Sequence, residues 1–243
     1  MRYFIEISYK GTHYHGWQIQ PDAISIQEVL TKAVSTILQE EIEIVGAGRT
    51  DAGVHASQMF AHFDSDTALD NSYIYKFNAI LPNDIVIHDC FEVSKDLHAR
   101  FDAIERSYEY RMFLGRNPFL LETTHQLHQQ VLDVEQMNEA AKTLLNYSDF
   151  ECFSKVKTDV KTFLCDVSRA EWILDGEYLT FHISANRFLR NMVRAVVGTL
   201  LEVGLGKMSI EEFKGVIESK KRSNAGVSVP AKGLFLTKVK YNF

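Results

Sequence analysis

The run Gly46–Ala56, GAGRTDAGVHA, is the densest group of residues that could do chemistry. It holds one carboxylate, Asp51, with Arg49 two residues before it, and its three glycines are Gly46, Gly48 and Gly53. Glycines permit a tight backbone, and such loops on a rigid sheet often present reactive side chains. The charge of Arg49 favours the ionised form of Asp51. The pattern fits either a reactive carboxylate or a glycine turn that carries a solvated ion pair.

Other reactive side chains do not form a recognisable catalytic or metal-binding pattern. The run Gly46–Ala56 contains no Ser–His–Asp set and no GxxxxGK[ST] phosphate loop. The histidines and cysteines lack the spacing of metal ligands, so we predict no metal site. His55 is interpreted as a histidine that orients the loop or packs in the core. These histidines and cysteines are His13, His15, His55, His62, Cys90, Cys152 and Cys165.

The composition indicates a globular, cytoplasmic protein. The chain has 243 residues, of which 46% are hydrophobic, enough for one large core or two small ones. No apolar run reaches the roughly 18 residues of a membrane helix, and the N-terminus resembles a strand more than a signal peptide. Scattered cysteines that lack a pairing pattern fit a reducing compartment.

The net charge of −6 does not exclude a nucleic-acid partner, because phosphates respond to the local field and not to the total charge. Basic residues gather in three stretches, and each could form either an RNA surface or an ordinary solvated face. These residues are Arg100, Arg106, Arg111 and Arg116 in the first stretch, Arg187, Arg190 and Arg194 in the second, and Lys220, Lys221 and Arg222 in the third.

Hydrophobic periodicity predicts alternating strands and helices. Helix starts carry capping patterns at Ser25–Glu28, Asp133–Gln136 and Ser209–Glu212. The Asp175-Gly176 pair predicts a hairpin turn. The predicted strands are Arg2–Tyr9, Ile42–Val45, Val54–Phe63, Ile85–Val93, Ile104–Leu114, two around Asp175-Gly176, and Leu234–Tyr241. The predicted helices follow Ser25, cover Leu69–Ala79, run from Asp133 to about Tyr147 and from about Phe188 to Val203, and follow Ser209.

These elements predict an α+β fold with antiparallel sheets. We expect two similar lobes whose sheets join into a central sheet flanked by helices, with a catalytic cleft between the lobes. The first lobe would span residues 1–104 and carry the Asp51 loop. The second would span residues 105–243.

Several sequence blocks, in order, resemble the TruA family of tRNA pseudouridine synthases. The run GAGRTDAGVHA closely matches the hallmark of that family, and the resemblance covers nearly the whole chain. Two departures concern RNA contacts and leave the catalytic run untouched: Lys10 stands where the family more often has Asp, and Arg187 where a small residue is common. The further matching blocks are Tyr9–Gln20, Ser25–Glu28, Leu81–Ile85, His98–Tyr110, Asn186–Arg194 and Pro230–Leu236.

The resemblance implies an enzyme that isomerises uridine to pseudouridine without a cofactor. It implies a homodimer that binds tRNA and acts on the 3′ side of the anticodon stem-loop, conventionally positions 38 to 40. Asp51 would be the catalytic carboxylate. Whether it attacks the ribose, adds to uracil or removes a sugar proton is left open.

The resemblance also assigns supporting roles. Arg194 would hold Asp51 ionised, Tyr108 would stack on the target uracil, Arg49 would help to hold the base out of the helix, and Leu234 would line the pocket. Taken alone, Arg194 also fits a surface arginine, Tyr108 a core aromatic residue and Leu234 a core leucine. The expected RNA contacts are Arg100, Arg106, Arg187 and Arg190.

Two other classes of protein are weighed against this prediction. A non-catalytic RNA-binding protein would not need Asp51, which is present. A nucleotide hydrolase would usually need a second acid or metal-binding carboxylates, and the run Gly46–Ala56 has neither.

Overall fold

A computed structural model describes residues 1–128, 131–155 and 161–242, and over this part of the chain the protein is α+β. Within the same residues no helix combines the length and apolar character needed to cross a membrane. The strands are β1 (Arg2–Tyr9), β2 (Val45–Gly46), β3 (His55–Asp64), β4 (Ile85–Val93), β5 (Glu105–Phe113), β6 (His125–Gln126), β7 (Val167–Asp175), β8 (Tyr178–Ala185) and β9 (Leu234–Lys240). The α-helices are α1 (Ile26–Leu38), α2 (Ser72–Ile80), α3 (Val134–Thr143), α4 (Met192–Gly204) and α5 (Ile210–Ser219).

The chain divides into two compact units. The first contains Met1–Ile104 and the chain from Leu236 onward, and the second contains Glu105–Phe235. Strand β9 therefore begins in the second unit and continues in the first. The separate roles expected for lobes 1–104 and 105–243 remain a prediction.

In the first unit the strand order is β4-β1-β3-β9, and β2 pairs with β3. Strand β1 is antiparallel to both β3 and β4, with Arg2 opposite Asp64 and Tyr9 opposite Ala56. Consecutive residues Phe4 and Ile5 are both fully buried, so both faces of this strand are covered. The strand thus provides a rigid base beside β3, which follows Asp51 in the chain.

The C-terminal residues complete the core of the first unit. The ring of Tyr241 packs edge-on against Phe4 and Phe60, with centroids 5.6 and 5.4 Å away. The Val239 N–H donates to the Gln58 side-chain oxygen at 3.2 Å. Residues near the C-terminal end of β9 therefore hold β3 on the side that does not pair with β1.

The predicted helix caps are confirmed. The Ser25 hydroxyl accepts a hydrogen bond from the Glu28 N–H at the start of α1. Ser209 and Glu212 form a reciprocal capping box at the start of α5, and the Asp133 carboxylate caps α3. These caps satisfy N–H groups that the first helical turn leaves without an intrahelical acceptor.

In the second unit the order β5-β8-β7 is antiparallel, as predicted. The hairpin between β7 and β8 turns at Gly176, whose φ of 58° lies in the left-handed region that favours glycine. Strand β6 pairs with the end of β5 in parallel, with Met112 opposite His125. The predicted α+β class with a central sheet flanked by helices is confirmed, and the parallel β6 makes that sheet mixed where antiparallel strands were expected.

The predicted strand Ile42–Val45 is wrong for most of its length, since only Val45 belongs to β2. The Ile42 N–H donates to the Ser35 hydroxyl at 3.1 Å, and the Ile44 carbonyl accepts from the Gln27 amide at 2.7 Å. Side chains of α1 thus replace the ladder bonds that a strand would make.

Two helices begin later than predicted. Helix α4 begins at Met192 and not near Phe188, because Asn191 has a left-handed φ of 67° that a continuous helix cannot contain. Helix α2 begins at Ser72 and not at Leu69, because the Asp70 carboxylate accepts the Ser72 N–H at 2.8 Å and starts the turn there.

Candidate active site

Asp51 lies in the segment Gly46–Ala56, here called the Asp51 loop, which runs from the end of β2 to the start of β3. The residue before it, Thr50, is buried. The Thr50 carbonyl accepts the Trp17 N–H at 3.2 Å, and its hydroxyl lies 2.9 Å from the Tyr9 hydroxyl. The backbone just before Asp51 is therefore fixed by the carbonyl group and by the side chain of Thr50.

The backbone that leaves Asp51 is fixed by a tight turn. The Val54 N–H donates to the Asp51 carbonyl at 3.1 Å, and Gly53 in the turn has a left-handed φ of 77°. The Gly53 N–H donates to the Tyr14 carbonyl at 3.2 Å. Asp51 itself is partly exposed and Arg49 is exposed, so the loop presents both charged groups from an anchored backbone.

A second segment, Gly11–Trp17, packs directly on the Asp51 loop through two glycines. A Cβ atom on Gly16 would lie 2.3 Å from the Thr50 carbonyl oxygen, and one on Gly11 would lie 2.0 Å from the Val54 carbonyl oxygen. Neither position can hold a larger side chain without moving the loop. The segment therefore sets the position of the backbone on both sides of Asp51.

Tyr14 anchors this second segment in turn. Its hydroxyl donates to the Asp84 carboxylate at 2.6 Å, and Asp84 also accepts the Lys10 N–H through its carbonyl. Burial, followed by the bond to Asp84, raises the pKa of Tyr14, so the phenol stays protonated and keeps donating.

His55 lies in the core and also joins the Asp51 loop to the Gly11–Trp17 segment, which combines the two interpretations offered for it. It is almost fully buried, and its Nδ1 accepts the Gly11 N–H at 2.9 Å, which places the proton of the neutral ring on Nε2. His62 likewise accepts the Ala99 N–H, and burial lowers its pKa to about 4.

Over residues 1–128, 131–155 and 161–242, no group of three or more His, Cys, Asp or Glu side chains could hold a metal ion.

Arg194 lies in the first turn of α4, in the second unit. Its Nε donates to the Val229 carbonyl at 2.8 Å, and the Val229 N–H donates back to the Arg194 carbonyl at 3.1 Å. A bond at Nε fixes the plane of the guanidinium group and thus the direction of its two terminal nitrogens.

Tyr108 lies on β5 opposite Ile183, half-buried, with its ring edge-on to Phe188 at 5.1 Å. Tyr110, two residues on, shares its face of the strand. The buried Tyr110 hydroxyl donates to the Pro230 carbonyl at 2.9 Å, and burial raises its pKa against the opposing charge of Arg194. Arg194 and the Tyr108 face of β5 thus meet the same short segment, residues 229–230.

The remaining predicted residues occupy several positions. Leu234 is buried at the start of β9. The Arg106 guanidinium donates to the Asn186 carbonyl at 2.9 Å, which places it at the segment that carries Arg187 and Arg190. Arg100 lies in the first unit beside the exposed ring of Phe101, 5.7 Å from its centroid. Three of the four expected RNA contacts therefore belong to one region of the second unit.

The sequence did not reveal which residues support Asp51. Thr50, Tyr14 and Gly16 act through backbone contacts between segments that are more than thirty residues apart in the chain. The one sequence signal for them was their place inside blocks that match the family.

The comparison with protein families identifies the class of this protein. The family described as tRNA pseudouridine synthase matches residues 6–102 and 140–242. These ranges include the Asp51 loop and all of α4 and β9, whereas β5 lies between them. The chain belongs to the tRNA pseudouridine synthase family, and so it is an isomerase that acts on uridine in tRNA.

Similar proteins agree with this assignment and confirm the resemblance to the TruA family. The tRNA pseudouridine synthase A of Bacteroides fragilis is 53% identical over 243 residues, covering 99% of this chain and 96% of that protein. The protein of the same name from Bacillus licheniformis is 39% identical over 246 residues, covering 100% of both. A chain from a crystal structure of a Cbf5-Nop10-Gar1 complex has a TM-score of 0.36 and 13% identity, over 96% of this chain and 57% of that one.

Proposed function

We propose that this enzyme converts uridine to pseudouridine at positions 38 to 40, on the 3′ side of the tRNA anticodon stem-loop, with Asp51 as its catalytic carboxylate and without a cofactor. The observation that carries the proposal is the presentation of Asp51. Asp51 is partly exposed, while the backbone before it accepts a hydrogen bond from the Trp17 N–H and the backbone after it donates one to the Tyr14 carbonyl. A carboxylate held in this way is preorganised for reaction.

The chemistry requires a group of this type. Forming pseudouridine breaks the N-glycosidic bond, turns the uracil and rejoins it to the ribose through carbon. The product has the same atoms and oxidation state as the substrate, so no redox cofactor is needed. A positioned carboxylate can add to the sugar or base, or remove a sugar proton.

Other residues would complete the reaction site. We propose that Arg194 holds Asp51 ionised, Tyr108 stacks on the target uracil, and Arg49 helps to keep the base out of the helix. Leu234 would give the pocket an apolar wall. Moving a base out of a stem costs about a few kcal/mol, which phosphate contacts by the arginines can offset.

The test is to incubate the purified protein with an unmodified tRNA transcript and to map pseudouridine by position. We expect it only at positions 38 to 40, in RNA of unchanged mass. A matched transcript with cytidine at these positions should stay unmodified. Cleaved RNA would support a hydrolase, and pseudouridine at other positions would contradict the proposed target.

Replacing Tyr108 with phenylalanine should separate stacking from proton transfer. The phenyl ring can still stack on uracil and pack against Phe188, so the affinity for tRNA should stay within about twofold. If the hydroxyl relays a proton, kcat should fall by about 100-fold. Single-turnover rates and tRNA binding would be measured for Tyr108→Phe and Tyr108→Leu. Equal loss of affinity in both variants would contradict the stacking role.

Binding of tRNA should weaken steeply with salt despite the net charge of −6. Four phosphate-neutralising arginines would give a slope of log K against log salt of about −3. Arg187→Ala should make this slope less steep by about one. Arg169→Ala, an exposed arginine that pairs with Glu171 on β7, is the control and should leave it unchanged. An identical slope in both variants would exclude Arg187 from the RNA surface.

The assembly and location of the enzyme are also proposed. We expect a homodimer, as the family resemblance implies, and light scattering of the purified protein would measure its mass. We place its work in the cytoplasm because its substrate is tRNA.

A further inference from the structure

The segment Ala225–Pro230, here called the strap, lies along α4, the helix that carries Arg194. Its Val229 exchanges two hydrogen bonds with Arg194, one with the backbone and one with Nε. The position of the strap therefore determines the position of the carbonyl that orients the Arg194 guanidinium group.

The strap contacts the backbone of α4 directly. A Cβ atom on Gly198 would lie 1.9 Å from the Val227 carbonyl oxygen, so only glycine allows this approach. The Gly226 N–H donates to the buried Thr199 hydroxyl at 2.9 Å. Contact this close leaves little tolerance for movement of the strap.

Arg222 also holds the strap. Its Nη1 donates to the carbonyls of Ala225 and Gly226 at 3.2 and 3.1 Å. Its Nη2 donates to the Ser228 hydroxyl at 2.9 Å. That hydroxyl also accepts from the side-chain amide of Asn191, the residue that precedes α4, at 2.7 Å. One guanidinium group thus ties three strap residues together and, through Ser228, ties them to the start of α4.

We propose that Arg222 is a positioning residue for pseudouridine formation, which acts by holding Val229 in the place that orients Arg194. The proposal rests on the role assigned to Arg194 under the proposed function. Arg222 does not act on the uridine itself. Its contribution is to keep a catalytic guanidinium group in one orientation, since a misplacement of about 1 Å can cost about 100-fold in rate.

The shape of the arginine side chain matters to this role. The planar fork reaches two carbonyls and one hydroxyl at once, whereas the single ammonium group of lysine has no such fixed geometry. If Arg222 only attracted RNA phosphates, lysine would replace it well. If it positions the strap, lysine should fail.

The test compares Arg222→Ala, Arg222→Lys and the control Arg169→Ala. It measures tRNA binding, steady-state kcat and KM, and thermal unfolding. Both Arg222 variants should lose about 10- to 100-fold in kcat, with KM and tRNA affinity within about twofold of wild type. Arg169→Ala should match wild type. A normal kcat in Arg222→Lys, or a loss confined to affinity and salt dependence, would overturn the proposal.

A double-mutant cycle tests whether Arg222 acts through Arg194. Arg194→Lys removes the Nε donor, so adding Arg222→Ala should slow it by no more than about twofold. Losses that multiply would overturn the proposal. If the Arg222 variants do not fold, Ser228→Ala, which removes the shared acceptor, takes their place in the cycle with the same criterion.

The same experiment separates this inference from the proposed function. A wild-type enzyme that forms no pseudouridine would refute the proposed function. An active wild type with unimpaired Arg222 variants would refute the positioning role alone.

Discussion

Replacing Asp51 with asparagine is expected to lower the rate of pseudouridine formation by about 10⁴-fold or more. Asparagine keeps the size of the side chain, and the fixed backbone on either side of residue 51 should hold it in the same place. The variant loses the charge and basicity that the reaction uses. Affinity for tRNA should change by no more than a few-fold, because many phosphate contacts supply it.

Asp22→Asn is a matched control, since it makes the same change of charge at an exposed residue whose left-handed φ of 58° asparagine tolerates. Its rate should equal that of the wild type. Turnover by Asp51→Asn within about tenfold of the wild type would be too fast for loss of a catalytic carboxylate, and it would refute the central assignment.

Replacing Gly16 with alanine is expected to damage both stability and activity, although Gly16 does no chemistry. Its φ of 87° is left-handed, and an added Cβ would lie 2.3 Å from the Thr50 carbonyl oxygen. Strain and overpacking together should lower the free energy of unfolding by about 3 kcal/mol. Relief of the clash would move the backbone at Asp51, so kcat of the folded fraction should fall by about 100-fold.

Gly48→Ala provides the comparison within the Asp51 loop, because a Cβ there would have no neighbouring atom within 4 Å. Its free energy of unfolding should stay within about 0.5 kcal/mol of wild type. Denaturant unfolding measures the stability of both variants, and single-turnover assays measure the rate of Gly16→Ala. If Gly16→Ala had normal stability and a normal rate, the Gly11–Trp17 segment would not be what positions Asp51.

The elements that sequence predicted well are those whose determinants are local. The caps at Ser25 and Ser209 and the alternation of β1 all depend on residues within a few positions of each other. The predicted strand at Ile42 was wrong because Ser35 and Gln27 satisfy its backbone groups from a helix. The hydrophobic periodicity of a sequence does not show where side chains will replace the hydrogen bonds between strands.

The candidate site divides in the same way. The role of Asp51 stays a prediction, and the sequence could supply it because the whole loop is one continuous run of specific residues. The sequence does not point to Gly16 or Arg222, since the roles proposed for them depend on contacts with Thr50 and with the strap that only the folded chain creates. The left-handed Asn191 also escaped prediction, although it ends one segment and starts the helix that carries Arg194.

The contribution of the C-terminal residues to the first unit has a consequence for the order in which the protein matures on the ribosome. All of Glu105–Phe235 is synthesised before Val239 and Tyr241 can join Gln58, Phe4 and Phe60. At about 5–20 residues per second, the nascent first unit waits on the order of ten seconds for its last strand. Through that interval β2 covers only Ala61 and His62 on the second side of β3, and the rest of that edge stays open to misassembly or chaperone binding. The first unit therefore acquires its complete core only after β9 and Tyr241 have been synthesised.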